Sequence, residues 1–194
     1  PRLLGRMDAV AAETLSQCLA AEGIQLHLSS GIAAVRRAGD HRQLVLENGS
    51  TIECERILVA TGRRPAVHGL GLEAAGVEHD RRGIKTDARM RTSRRHIYAV
   101  GDVCGPLQFT HVAEYQAGIV LANIVFRLPK KADYRVVPTV VYTDPEVAMV
   151  GLTEPQAQAG GIKYHVSEFP MADVDRALAD DAPAGQARIL VSKG

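Results

Sequence analysis

Ile97-Tyr98-Ala99-Val100-Gly101-Asp102 is the stretch around which the 194-residue chain is organised. Four apolar residues run straight into a Gly-Asp pair, the pattern of a short buried strand that ends by presenting one carboxylate on a turn. The glycine lets another molecule approach the backbone closely, and the loop Val103-Cys104-Gly105-Pro106 follows. A carboxylate accepts hydrogen bonds and donates none, so one held this way suits a polyhydroxyl ligand. On the N-terminal side, Ile57-Leu58-Val59-Ala60-Thr61-Gly62 repeats the logic, with an apolar run that stops at a Thr-Gly turn before the loop Arg63-Arg64-Pro65.

Working outward toward the C-terminus, Phe109-Thr110-His111-Val112-Ala113 opens a helix expected to reach about Arg127. Thr110 is its expected N-cap, and Ala113, Ala117, Val120, Leu121 and Ile124 its buried stripe. Gly118 inside that helix costs on the order of 1 kcal/mol against alanine, which argues for close packing against a sheet or ligand. Leu128 to Tyr134 reads as a linker. Beyond it Val136 to Tyr142 and Val147 to Gly151 are β-rich, with Thr143-Asp144-Pro145-Glu146 as the turn between them. Thr153 to Ala159 is a capped helix with proline in its first turn, and Tyr164 to Phe169 is a strand. Ala187 to Val191 reads as a further strand whose hairpin partner should come after the turn Ser192-Lys193-Gly194. That missing partner, with a first residue Pro1 in place of Met, sets the expectation of a segment cut from a longer polypeptide.

Outward in the other direction, Leu70 to Gly76 is a short helical turn, Arg81-Arg82-Gly83 a turn, and Ile84 to Asp87 an edge strand. Asp8 to Glu22 has the apolar spacing of an amphipathic helix, stopped by Gly23. Ile24 to Ser30, Ile32 to Val35, Gln43 to Glu47 and Thr51 to Ala60 read as strands, separated by turns at Ala38-Gly39-Asp40 and at the hairpin signal Asn48-Gly49. The alternation of helix, strand, hairpin and buried strand predicts an α/β fold.

Composition narrows the function. Hydrophobic residues make up 46% of the chain, enough for a packed core. The 23 Lys and Arg nearly cancel the 22 Asp and Glu, so no overall field recruits nucleic acid. No apolar run approaches the roughly 20 residues that cross a bilayer, and no leader-like segment opens the chain, which sets the expectation of a cytoplasmic protein without a membrane partner. Cys18, Cys54 and Cys104 are far apart in sequence and carry no Cys-x-x-Cys spacing, so neither a zinc site nor a local redox pair is expected.

Three segments taken together, Ile57 to Pro65 (ILVATGRRP), Thr92 to Asp102 (TSRRHIYAVGD) and Val137 to Gly151 (VPTVVYTDPEVAMVG), resemble the FAD-dependent pyridine nucleotide-disulfide oxidoreductases in order and spacing. Gln108 to Gly118 and Asp173 to Leu178 are most similar to the mercuric reductase and dihydrolipoyl dehydrogenase branches. The resemblance implies parts of FAD/NAD(P)-binding Rossmann-like domains followed by the start of an α+β dimerisation domain. Residues 1–60 would be the second half of the NAD(P)-binding domain, 61–130 the C-terminal segment of the FAD-binding domain, and 131–194 the first part of the dimerisation domain, through which a homodimer would form.

The function implied is transfer of hydride from NAD or NADP through flavin to a small-molecule disulfide or a thiol-bound metal. The alternatives are a relative without redox cysteines that reduces quinones or oxygen, and a noncatalytic binding or dimerisation module. Carried over motif by motif, Asp102 would accept hydrogen bonds from the ribityl chain of FAD. Gln108, Phe109, Thr110 and His111 would turn backbone N–H groups at a helix N-terminus toward the flavin, and Gly62 and Ile32 would lie against the nicotinamide nucleotide. No residue of the chain is expected to be catalytic or to bind metal. His111 and Cys104 are read as structural, and with the FAD phosphate loops outside these residues, the segment alone is expected to hold flavin poorly.

Overall fold

The computed structural model describes residues 2–192, so Lys193 and Gly194 of the expected terminal turn lie outside the described residues. The chain forms two compact units, residues 1–58 with 138–194, and residues 59–137. Helices and strands alternate as the α/β reading requires, and each strand pair among the described residues is antiparallel.

In the first unit, α1 (Ala9–Ala21) starts at Asp8, whose Oδ1 accepts from the amides of Val10 at 2.9 Å and Ala11 at 3.4 Å. This satisfies two of the donors that a helix start leaves without an intrahelical partner. β1 (Ile32–Ala38), β2 (His41–Leu46) and β3 (Thr51–Cys54) form a three-stranded meander whose second turn carries Gly49 at φ +84°, as the Asn-Gly signal requires. β6 (Thr139–Val141) and β7 (Val147–Met149) form a hairpin, and Val147 packs with Met7 and Leu15 in the unit's core. α4 (Glu154–Ala159) opens on a capping box between Thr153 and Gln156.

Two strand expectations fail here. Ile24 to Ser30 forms no strand: Ile24 and Leu28 are exposed, and no neighbouring segment of the described residues offers the segment a ladder of hydrogen bonds. β3 ends at Cys54, and Ile57 to Ala60 runs on without a partner, leaving Leu58 90% exposed. A third expectation is corrected by topology. β9 (Gln186–Ser192) already has its partner, β8 (Tyr164–Pro170), paired in register from Tyr164 with Ser192 to Pro170 with Gln186. The partner precedes the strand because the intervening α5 (Asp175–Ala179) and a 3₁₀ turn at Met171–Asp173 bring the chain back on itself.

In the second unit, the core gathers Leu72 of α2 (Leu72–Ala75), Ile84 of β5 (Gly83–Ile84, paired with β4, His79–Asp80), Ala99 of the Ile97–Val100 run, and the loop residues Val67 and Val77. That run is extended but makes only one bridge, Arg91 with Tyr98, plus bonds from Thr92 N to Ile97 O and from Ala99 N to Met90 O. Regular pairing stops there because its neighbour Met90–Thr92 is short, and Met90 itself turns at φ +64°. α3 (Thr110–Ile124) is the long helix, with Phe109 at its N-cap position and no side-chain cap, so Thr110 is the first helical residue and not the cap. Its buried face is Val112, Gln116 and Ile119, one residue out of phase with the expected stripe. A methyl group on Gly118 would meet nothing within 4 Å, so close packing does not explain that glycine. Among the described residues no helix is long and apolar enough to cross a membrane.

Candidate functional site

Gly101–Cys104 forms a single turn of 3₁₀ helix at the end of the Ile97–Val100 run, and this turn sets the position of Asp102. Three neighbours hold it. Gly101 sits at φ +77°, and an added Cβ would stand 3.2 Å from Ala113 Cβ of α3. From β5, Gly83 approaches so closely that a Cβ there would lie 2.3 Å from Val103 O. From α3, the Oε1 of buried Gln116 accepts the Gly101 amide at 2.6 Å. Backbone that is pinned on three sides loses little further freedom when a ligand binds.

The Asp102 side chain is 40% exposed, and its Oδ2 pairs with Nη2 of Arg63 at 2.7 Å. Arg63 is 68% exposed, and an ion pair this wet is worth about 0–1 kcal/mol, so hydroxyl donors can replace the guanidinium at low cost. Arg63 comes from the Thr61-Gly62-Arg63 segment, so the structure joins the two strand ends of the sequence reading through one charge pair.

The next residues lead into α3. Gln108 and Phe109 are half-buried, Thr110 and His111 are exposed, and the rings of Phe109 and His111 stack with centroids 5.3 Å apart. Phe109 O accepts from the amides of both Val112 and Ala113, which leaves Thr110 and His111 as first-turn donors without an intrahelical partner. Over a helix of this length such amides favour an electron-rich ligand. Gly62 is exposed at φ +118°, with open space where a Cβ would be. Ile32 is 55% exposed at the start of β1 and belongs to the other unit.

Sequence reasoning missed Gly83, Gln116, Tyr134 and the pairing role of Arg63. Gly83 looked like an ordinary turn glycine. Gln116 left a signal, a polar side chain at i+4 from Val112 and i−3 from Ile119, visible only once the helix phase is known. Cys104 is the last residue of the turn and lines a cavity of about 370 Å³, and burial pushes its thiol up to about 11. At pH 8 the folded thiol is then ionised in about one molecule in a thousand, so iodoacetamide should label Cys104 about a hundredfold more slowly in folded than in urea-unfolded protein, as read by mass spectrometry. Equal rates would show the thiol to be open to solvent.

Residues 1–117 match the pyridine nucleotide-disulphide oxidoreductase family, and residues 137–194 match the dimerisation domain of the same family. The chain belongs to this family. Its relatives include a mercuric reductase of Bacillus cereus, 37% identical over 97% of this chain and 31% of the relative, and a dihydrolipoyl dehydrogenase of Chlamydia muridarum, 38% identical over 92% and 38%. Among solved structures, the HOCl-induced flavoprotein disulfide reductase RclA from Escherichia coli superimposes with a TM-score of 0.90 at 29% identity, over 97% of this chain and 44% of that one. The chain therefore spans roughly a third of the length of these two curated relatives. Membership bears out the expected fold class, and the pyridine nucleotide-disulphide oxidoreductases are enzymes that use FAD and NAD(P)H.

Proposed function

We propose that the protein is an FAD-dependent oxidoreductase that draws hydride from NADH or NADPH and reduces a disulfide or a thiol-bound metal, and that Asp102 is its ribityl-binding carboxylate. The observation that carries this reading is the Gly101–Asp102 turn, whose carboxylate is half-exposed, fixed by backbone packing, and paired with a wet arginine. Those residues fit a flavin. The positive-φ glycine brings backbone close to a flat ligand, the carboxylate meets hydroxyls, and the first amides of α3 meet an electron-rich ring edge. A bound flavin would supply the hydride-accepting chemistry, while these residues supply binding, orientation and charge.

In this proposal Asp102 accepts hydrogen bonds from the ligand's hydroxyls as Arg63 swings away, and Gln108 to His111 contribute main-chain donors. Gly62 leaves room for the nicotinamide nucleotide, and Ile32 offers it an apolar contact. Cys18, Cys54 and Cys104 are all free thiols and take no part in the disulfide step. A homodimer through residues 131–194 accords with the match to the dimerisation domain and with exposed apolar side chains such as Tyr142 and Ile189. Asp102→Ala in the full-length protein is the test. Losing charge-assisted hydrogen bonds should weaken FAD binding by about tenfold or more in fluorescence titration, and an unchanged Kd would exclude the proposed role.

A further inference from the structure

The turn that carries Asp102 is held by a polar chain that runs from the buried Gly101 amide outward to the partly exposed Tyr134. Gly101 N–H donates to Gln116 Oε1 at 2.6 Å, Gln116 Nε2 donates to Tyr134 Oη at 2.8 Å, and Tyr134 Oη donates to Met90 Sδ at 3.7 Å. Gln116 is 5% exposed, so its amide is satisfied chiefly by these protein partners. We infer that Gln116 and Tyr134 are positioning residues for the ligand-bearing turn, setting where Asp102 meets the flavin; the inference rests on the flavin reading of Asp102.

Each link has a determined direction. A backbone amide can only donate, so Gln116 must present its oxygen to Gly101, and its nitrogen is thereby turned to Tyr134. The Tyr134 hydroxyl is then an acceptor from Gln116 and a donor to sulfur, a role for which burial keeps it protonated by pushing its pKa up. Tyr134 is itself anchored. Ala132 N donates to Ala88 O at 2.7 Å, Asp133 N donates to Tyr115 Oη at 2.9 Å, and the Tyr115 and Tyr134 rings meet edge to face at 6.4 Å. The 132–134 segment, read from sequence as a plain linker, is thus the outer support of the Asp102 turn.

The test measures FAD dissociation constants by fluorescence in the full-length protein, beside thermal melts of the FAD-free form. Gln116→Leu leaves the Gly101 amide buried without an acceptor and should weaken FAD binding about tenfold. Gln116→Glu keeps an acceptor for Gly101 and lets Tyr134 reverse its proton, so its Kd should return to within about threefold of the parent. Tyr134→Phe, which loses one oxygen and keeps the ring, should weaken binding by about threefold to tenfold. A merely structural glutamine would lower the melting temperature of both Gln116 variants and leave Kd unchanged, which would overturn the inference, as would a Gln116→Glu protein that binds as weakly as Gln116→Leu. Should Gln116→Leu not fold, Tyr134→Phe decides on the same readout, with an unchanged Kd counting against the relay. Asp102→Ala separates the two levels: if it leaves Kd unchanged the flavin reading falls and the relay with it, and if it alone weakens binding only the relay falls.

Discussion

Replacing Gly83 with alanine is expected to lower the stability of the 59–137 unit by about 2–6 kcal/mol, a large part of the margin of an ordinary domain. Two costs combine. The residue sits at φ +125°, where a side chain strains the backbone, and the new Cβ would lie 2.3 Å from Val103 O, 3.1 Å from Val103 C and 3.0 Å from Gly105 N. These are backbone atoms of the Asp102 turn and its exit, so relief requires moving the turn itself. Urea unfolding measures the loss, and FAD binding should weaken in parallel. Gly118→Ala is the matched control, because open space surrounds that position in the middle of α3 and alanine should stabilise by about 0.5–1 kcal/mol. A Gly83→Ala protein that unfolds at the parent's urea concentration would show that β5 does not press on the turn.

Arg188→Met should cost about 2–4 kcal/mol in the other unit. The guanidinium is 17% exposed and reaches three carboxylates, Glu168 Oε1 at 2.5 Å from Nε, Asp8 Oδ2 at 3.1 Å from Nη1, and Glu154 Oε1 from Nη2. Its pKa is raised, first by the Glu168 bond, so the arginine stays charged throughout the working range. Methionine would fill the volume but leave three carboxylates facing one another, a penalty near that of a broken buried pair and reduced here because Glu168 remains 47% exposed. Asp8 also caps α1 and Tyr164 donates to Glu154, so the loss reaches α1, α4 and the β8–β9 hairpin together. Thermal melts at low and high salt check it. Added salt should restore part of the melting temperature by screening the carboxylates, and Arg188→Lys should restore only part, since an ammonium cannot serve three partners in one plane. Parent-like melting of Arg188→Met at low salt would contradict the hub.

Local chemistry accounts for what could be read in advance. The Gly23 stop of the Asp8 to Glu22 helix, the Asn48-Gly49 hairpin and the capped, proline-containing first turn of α4 each depend on residues within a few positions of one another. The Gly101–Asp102 turn is of the same kind, since a glycine at positive φ followed by a carboxylate is legible wherever it occurs. What went astray needed a distant neighbour. Ile24 to Ser30 and Ile57 to Ala60 have strand composition but no partner among the described residues, whereas the residues of β9 pair with β8 across a whole intervening helix and 3₁₀ turn.

α3 makes the same point at its buried face. Its helical period was plain, but the phase was set by contact with the 101–104 turn, which draws Val112, Gln116 and Ile119 inward in place of Ala113, Ala117 and Val120. One residue of phase, about 100° on a helix, separates a solvent-facing glutamine from one that holds the Gly101 amide. The sequence by itself determined the family, the α/β class, the Asn48-Gly49 turn, the capped first turn of α4 and the carboxylate at Asp102, because these follow from residue types at short spacing. Only the tertiary structure decided that Arg63 pairs with Asp102, that Gly83 and Gln116 hold its turn, and that Arg188 ties three elements together, because those contacts join residues 15 to 180 positions apart.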